Sequence, residues 1–230
     1  MTAGIMEAVR AGLVRNVSVM VPPKHFAVTA IELATLPDDV EIGLHVTLNC
    51  EWLGLRWRPL APATDIPNLV DADGFFRFRT PNEIHEAAVP VEQLMAEVRA
   101  QLDALRSSGL HPTYLDEHMG VGWVRDGTLR RELLTLCAEE GLIPADELPR
   151  ARLDALVAAA PGSVAILHLA KPTPDLQRLR LAPGDSPDAV SMERSAELRF
   201  LFKSNLLAEV RPIGLREAAR MHPIGSPSSR

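Results

Sequence analysis

Apolar residues recur at helical spacing at Ile5, Met6, Val9 and Leu13, so residues 2–11 are predicted as an amphipathic helix that stops near Gly12. The run VRNVSVMV (14–21) is short and β-branched and is halted by Pro22-Pro23, which predicts a strand. HFAVTAIELATL (25–36) returns to the helical pattern, and VEIGLHVTL (40–48) reads as a buried strand. Residues 51–90 are rich in Pro, Asp and Gly and carry no long period. They form an excursion in which FFRFR (75–79) is the one strand-like piece.

Beyond it, Leu94, Met95, Val98, Leu102 and Leu105 mark one face of a helix. HPTYLDEH follows as loop and strand. Leu129, Leu133, Leu134 and Cys137 mark the next helix, closed by Gly141. SVAILHLA (163–170) is predicted as a strand, Glu197–Leu207 as helix, and VRPIGLREAAR (210–220) as a last short strand and helix. Strands alternating with helices imply parallel strands joined by crossover helices. A single α/β domain over 1–220 with a disordered tail over 221–230 is the economical organisation. In such folds a strand usually comes first, yet this chain opens in a helix.

Composition narrows the class. The chain has 230 residues, 47% hydrophobic residues and a net charge of −6, which fits a soluble domain with its own core. The negative charge, with no Lys/Arg cluster to offset it, argues against a nucleic-acid partner. No apolar run approaches the ~20 residues that span a bilayer, and the start lacks a signal-peptide pattern. Cys50 and Cys137 read as buried free thiols in a reducing cytosol, so a cytoplasmic location is expected.

Candidate chemistry lies at strand ends. His45 in IGLHVTL, His118 in LDEHMG and His168 in AILHLAKP hold comparable positions, where parallel α/β folds place their sites. Each alone is an ordinary core histidine. Three together suit a divalent ion, which imidazole favours as a ligand. His25, His85, His111 and His222 read as solvated. Asp116 has two readings: a cap on the following turn, or a carboxylate that orients an imidazole or takes a proton from water. Glu117 is expected to face outward on the other side of the strand. Trp52, Trp57 and Trp123 could stack on a sugar ring, with core or loop packing as the default. Phosphate-loop, dinucleotide and nucleophile-elbow motifs are absent from the sequence.

GIMEAVRAGLVRNVSVMV, LPDDVEIGLHVTL and GLHPTYLDEHMGV, in that order, resemble the YdjC-like carbohydrate deacetylases, a family that includes chitooligosaccharide deacetylases and hopanoid-associated relatives. The resemblance implies a distorted (β/α) barrel of the polysaccharide-deacetylase type. It also implies a divalent ion, Mg²⁺ or Zn²⁺, and hydrolysis of the N-acetyl group of an amino sugar or short oligosaccharide. Carried over by motif, His45 and His118 match the metal ligands. Asp116 matches the Asp of the D-x-H motif, and His168 resembles a late strand-end His-Pro position, with Leu169 in place of Pro.

Two departures stand out. The family's second His of D-x-H-x-H is Gly120 here, and the Asp-Asp pair that ends the family's first strand has no counterpart after Met1. Either the recorded start is an internal methionine or the chain is a truncated, inactive relative; retention of the motif histidines favours the former. A non-catalytic glycan- or partner-binding protein and a different metal hydrolase are the alternatives. The sequence leaves open which sugar is used and whether the protein forms a homodimer.

Overall fold

The computed structural model describes residues 2–186, 188–204 and 206–223, so the expected disordered tail falls almost entirely outside the described residues. Helix α1 spans Thr2–Arg10 and leads into strand β1, Asn16–Val19. Helix α2 (Phe26–Leu33) precedes β2 (Glu41–Val46). After the excursion, which contains the short helix α3 (Pro81–Glu86), come α4 (Val91–Ser107), β3 (Tyr114–Glu117), α5 (Thr128–Glu140) and β4 (Ile143–Pro144). Helices α6 (Ala189–Lys203), α7 (Leu206–Glu209) and α8 (Leu215–Met221) complete the described chain. The four strands form one parallel sheet in the order β1-β2-β3-β4. The α/β architecture with crossover helices is therefore the one the periodicity predicts.

Strand alternation divides the sheet into two faces. Val17, Val19, Leu44, Val46 and Leu115 point into the main core, where they join Leu94, Val98, Leu102 and Leu105 of α4 and Leu129, Leu133, Leu136 and Cys137 of α5. Gly141, in the left-handed conformation at φ 66°, ends α5, a turn that a Cβ would disfavour. The opposite face carries Ser18, Gly43, His45, Tyr114 and Asp116, because Ser18 pairs with Gly43, Gly43 with Tyr114, and His45 with Asp116. Any side chain at position 43 would overlap the Tyr114 ring, so the glycine makes room for the buried phenol on this face.

The excursion is held from beneath. The carboxylate of Glu97 on α4, fully buried, accepts the backbone N–H groups of Leu60 (2.9 Å) and Ala61 (2.8 Å) and the Gln101 amide (2.7 Å). Burial pushes its pKa up to about 7 against those hydrogen bonds. Helix α3 escaped the sequence reading, although Thr80-Pro81-Asn82-Glu83 is a capping signature: Thr80 Oγ1 accepts the Glu83 N–H and Pro81 opens the helix.

Three predicted strands are corrected. FFRFR contributes one antiparallel bridge, Phe76 to Val70. Residues 163–170 make one parallel bridge, Val164 to Arg150, and otherwise run without regular structure. Residues 210–214 contain no strand. In each case β-favouring residues lack a long neighbouring edge to pair with, and β-propensity is realised only through such pairing.

Candidate active site

The parallel register of β2 and β3 sets His45 opposite Asp116 near the C-terminal ends of both strands. His45 Nδ1 lies 2.8 Å from Asp116 Oδ1, with the two side chains 19% and 13% exposed. The second carboxylate oxygen of Asp116 accepts the Ser18 hydroxyl at 2.7 Å, and Ser18 Oγ is also 2.9 Å from the Tyr114 hydroxyl. Both oxygens of Asp116 are thus engaged across three strands, which makes it an orienting group for His45 and removes the turn-capping reading. Burial works against the charged form of each partner. The Asp116 carboxylate nevertheless holds the His45 pKa above 6.5, and His45 with Ser18 holds the Asp116 pKa below 3.8. With Nδ1 committed to Asp116, Nε2 of His45 is the nitrogen available to a ligand.

His118 directly follows β3. Its ring stands edge-on to His45, centroids 5.3 Å apart, and edge-on to Trp57 at 6.2 Å. His118 Nε2 is 3.0 Å from Glu51 Oε2, in a pair whose side chains are 12% and 11% exposed. Glu51 is a site residue that sequence reasoning missed. It sits in the irregular excursion, 67 residues from its partner, and its burial is the signal that marks it. The Arg79 guanidinium, 2.7 Å from the Glu51 carbonyl oxygen, fixes the backbone there.

His168 lies in the 163–170 segment, where its backbone N–H donates to Glu197 Oε2 at 2.7 Å. The residue is exposed, and the surrounding protein, then the Arg194 guanidinium and the His45 and His118 imidazoles, push its pKa below 6.5 against the pull of Glu197. His45 and His118 are in ring contact, whereas no regular strand delivers His168.

Glu117 departs from expectation. It faces away from Asp116 but is buried, accepting the Gly122 N–H at 2.7 Å and pairing with Arg130 at 3.0 Å. Its role is to fasten the segment after His118. His85 is half-buried, not solvated, and its Nδ1 accepts the Arg125 N–H at 3.2 Å. Trp52 and Trp57 are buried, each 7% exposed, whereas Trp123 is 43% exposed. Gly120, in place of the second motif histidine, is left-handed at φ 61° next to Met119 at φ 54°. The backbone there turns in a conformation that a histidine adopts only with strain.

The donor chemistry suits a divalent ion in part. Two imidazoles, one of them oriented by a carboxylate, are ligands of the expected kind. Among the described residues, however, no three His, Cys, Asp or Glu side chains converge in an arrangement able to hold an ion. The site as described supplies two nitrogen donors and the Glu51 carboxylate beside one of them.

The family model for YdjC-like protein matches residues 1–162. The chain belongs to the YdjC-like family. His45, Asp116 and His118 all lie within the matched region, and His168 lies outside it. Relatives named carbohydrate deacetylase include one from Brevibacillus brevis, 35% identical over 115 residues, which cover 50% of this chain and 42% of that protein. Another, from Enterococcus faecalis, is 31% identical over 121 residues, 52% of this chain and 43% of that protein. The matched stretch thus spans less than half the length of these relatives. A solved structure from Enterococcus faecalis V583, described as a candidate cellobiose-phosphate cleavage protein, shares the fold with a TM-score of 0.70. It covers 96% of this chain and 88% of its own at 21% identity.

Proposed function

We propose that the protein is a carbohydrate deacetylase that hydrolyses the acetamide of an N-acetylated amino sugar, in monosaccharide or short-oligosaccharide form. The observation that carries this reading is the His45–Asp116 pair at 2.8 Å, set edge-on to His118 at the ends of adjacent parallel strands. Family membership and relatives named carbohydrate deacetylase support it.

His45 and His118 are assigned as nitrogen donors to a divalent ion, Mg²⁺ or Zn²⁺. Such an ion supplies Lewis acidity to an amide carbonyl that is otherwise a poor electrophile. Asp116 orients His45, and Ser18 orients Asp116. Glu51 holds His118 in place. His168 is assigned to carry a proton to the departing amine, which it does in its imidazolium form after taking up the proton that water gives up. In the overall reaction water adds its oxygen to the acetyl carbon, the carbon–nitrogen bond breaks, and acetate and the protonated amine leave. The two free, buried thiols suit a reducing compartment, in keeping with a cytoplasmic enzyme.

The test is acetate release from N-acetylglucosamine and N,N′-diacetylchitobiose by the full chain, with Mg²⁺, with Zn²⁺ and after chelation. Release that needs the ion and disappears in His45→Ala and His118→Ala is expected. Undiminished release by either variant would remove the site assignment. Sugar binding without release would transfer the protein to the non-catalytic, glycan-binding class.

A further inference from the structure

The loop that carries His118 presents a second feature that the proposed chemistry leaves unused. Residues His118–Trp123 form a kinked 3₁₀ segment in which Met119 and Gly120 are both left-handed. Val121 and Val124 are fully buried, and Glu117 grips the Gly122 N–H from below. A Cβ at Gly122 would overlap the Glu117 carboxylate, so this close grip requires glycine. Trp123 stands between these anchors and is nevertheless 43% exposed. Its exposure is imposed by a tightly held backbone, with the Trp123 carbonyl itself accepting the Gly127 N–H at 2.8 Å.

The indole is not alone. The His85 ring, from α3, lies against it at 5.1 Å between centroids with the planes tilted by 41°. His85 Nδ1 accepts the Arg125 N–H, so the proton of the neutral imidazole sits on Nε2 and makes that nitrogen a donor. The result is a broad aromatic face beside a single fixed N–H donor. That pairing is complementary to a pyranose ring, which presents apolar C–H groups on one face and hydroxyl acceptors around its edge. Trp123 also lies on the same segment as His118. Five residue steps separate Trp123 from His118, about 10 Å at the 3₁₀ rise and at most about 18 Å if extended.

We propose that Trp123 and His85 form a subsite for a second, non-reacting sugar ring, next to the ring whose acetamide lies at His45 and His118, so that the protein favours oligosaccharides over monosaccharides. This inference rests on the deacetylase reading for the identity of the neighbouring ring.

N-acetylglucosamine and N,N′-diacetylchitobiose are titrated into the full chain by calorimetry, and acrylamide quenching of tryptophan emission is followed in parallel. Trp52 and Trp57 are each 7% exposed, so the quenching reports chiefly on Trp123. The disaccharide, and not the monosaccharide, is expected to protect the emission. Trp123→Ala should weaken disaccharide binding about three- to tenfold, the size of one aromatic contact, and leave monosaccharide binding unchanged. Trp123→Phe should recover part of the loss. Equal disaccharide binding by wild type and Trp123→Ala would overturn the proposal, as would equal weakening of both sugars or failure of the disaccharide to bind the wild type. Acetate measured in the same samples separates the two readings. Protection of Trp123 without acetate release sinks the deacetylase and leaves the platform. Release with a disaccharide KM indifferent to Trp123→Ala sinks the platform and leaves the deacetylase.

Discussion

Asp116 and His45 are largely shielded from water, and each favours the charged form of the other. Folding raises the His45 pKa above 6.5, so the stability this group contributes is complete below that value and is lost as pH rises through the folded pKa. Asp116 runs the opposite way: its pKa is lowered from 3.8, so its contribution is present above 3.8 and is lost as pH falls through the folded value. Between those limits the ion-free chain holds both. Asp116→Asn is expected to cost on the order of 3 kcal/mol in that window, because it leaves a buried imidazolium without its partner. It should also flatten the fall in stability above pH 6.5. Urea midpoints at pH 5.5 and 8.5, with the His45 ring followed by NMR, check this; a variant that keeps the wild-type pH slope would refute the pairing. These two residues were legible in the sequence because both sit in short motifs at strand ends. Glu51 was not, since an isolated carboxylate in an aperiodic stretch acquires a role only when folding brings His118 to it.

Most elements with an internal period were read correctly and those defined by their neighbours were not; the helix expected over Glu197–Leu207 instead begins at Ala189, ends at Lys203 and is followed by the separate α7. The face of α4 marked by Leu94, Val98, Leu102 and Leu105 is buried as the spacing requires. Residues 163–170 carry strand-like residues, but they meet only Arg150 through Val164, so the pattern had no partner to act on. The excursion depends on a different device, the Glu97 clamp. Its pKa of about 7, raised from 4.5 by burial, means that the folded chain binds this proton more tightly than the unfolded one. Stability should therefore fall as pH rises from 4.5 to 7, by up to about 3 kcal/mol, and stay low above it. Glu97→Gln should abolish that slope. Denaturant midpoints across pH 4.5–8 measure it, and a slope retained by the variant would exclude Glu97 as its source.

At the scale of the whole molecule, Cys50 and Cys137 provide a test of cooperativity. Both are buried free thiols in one continuous apolar cluster, although one follows β2 and the other lies in α5. Burial pushes their pKa values up to about 11 and about 12, so little thiolate forms near neutrality. If residues 1–220 unfold as one unit, both thiols should resist a disulfide reagent in the native state and become reactive together across the urea transition. Labelling of one thiol well before the other, resolved by mass spectrometry, would divide the chain into two units.

The side chain of Asn16, on β1 near the start of the chain, donates to the Ile213 carbonyl at 3.0 Å and accepts the Leu215 N–H at 2.9 Å. These contacts bridge 197 and 199 positions. Closing so long a loop cannot precede the emergence of residue 215 from the ribosome. Until residue 215 is made, the Asn16 amide therefore has neither of these partners, and this clasp between strand β1 and the start of α8 forms only after every residue between them has been synthesised.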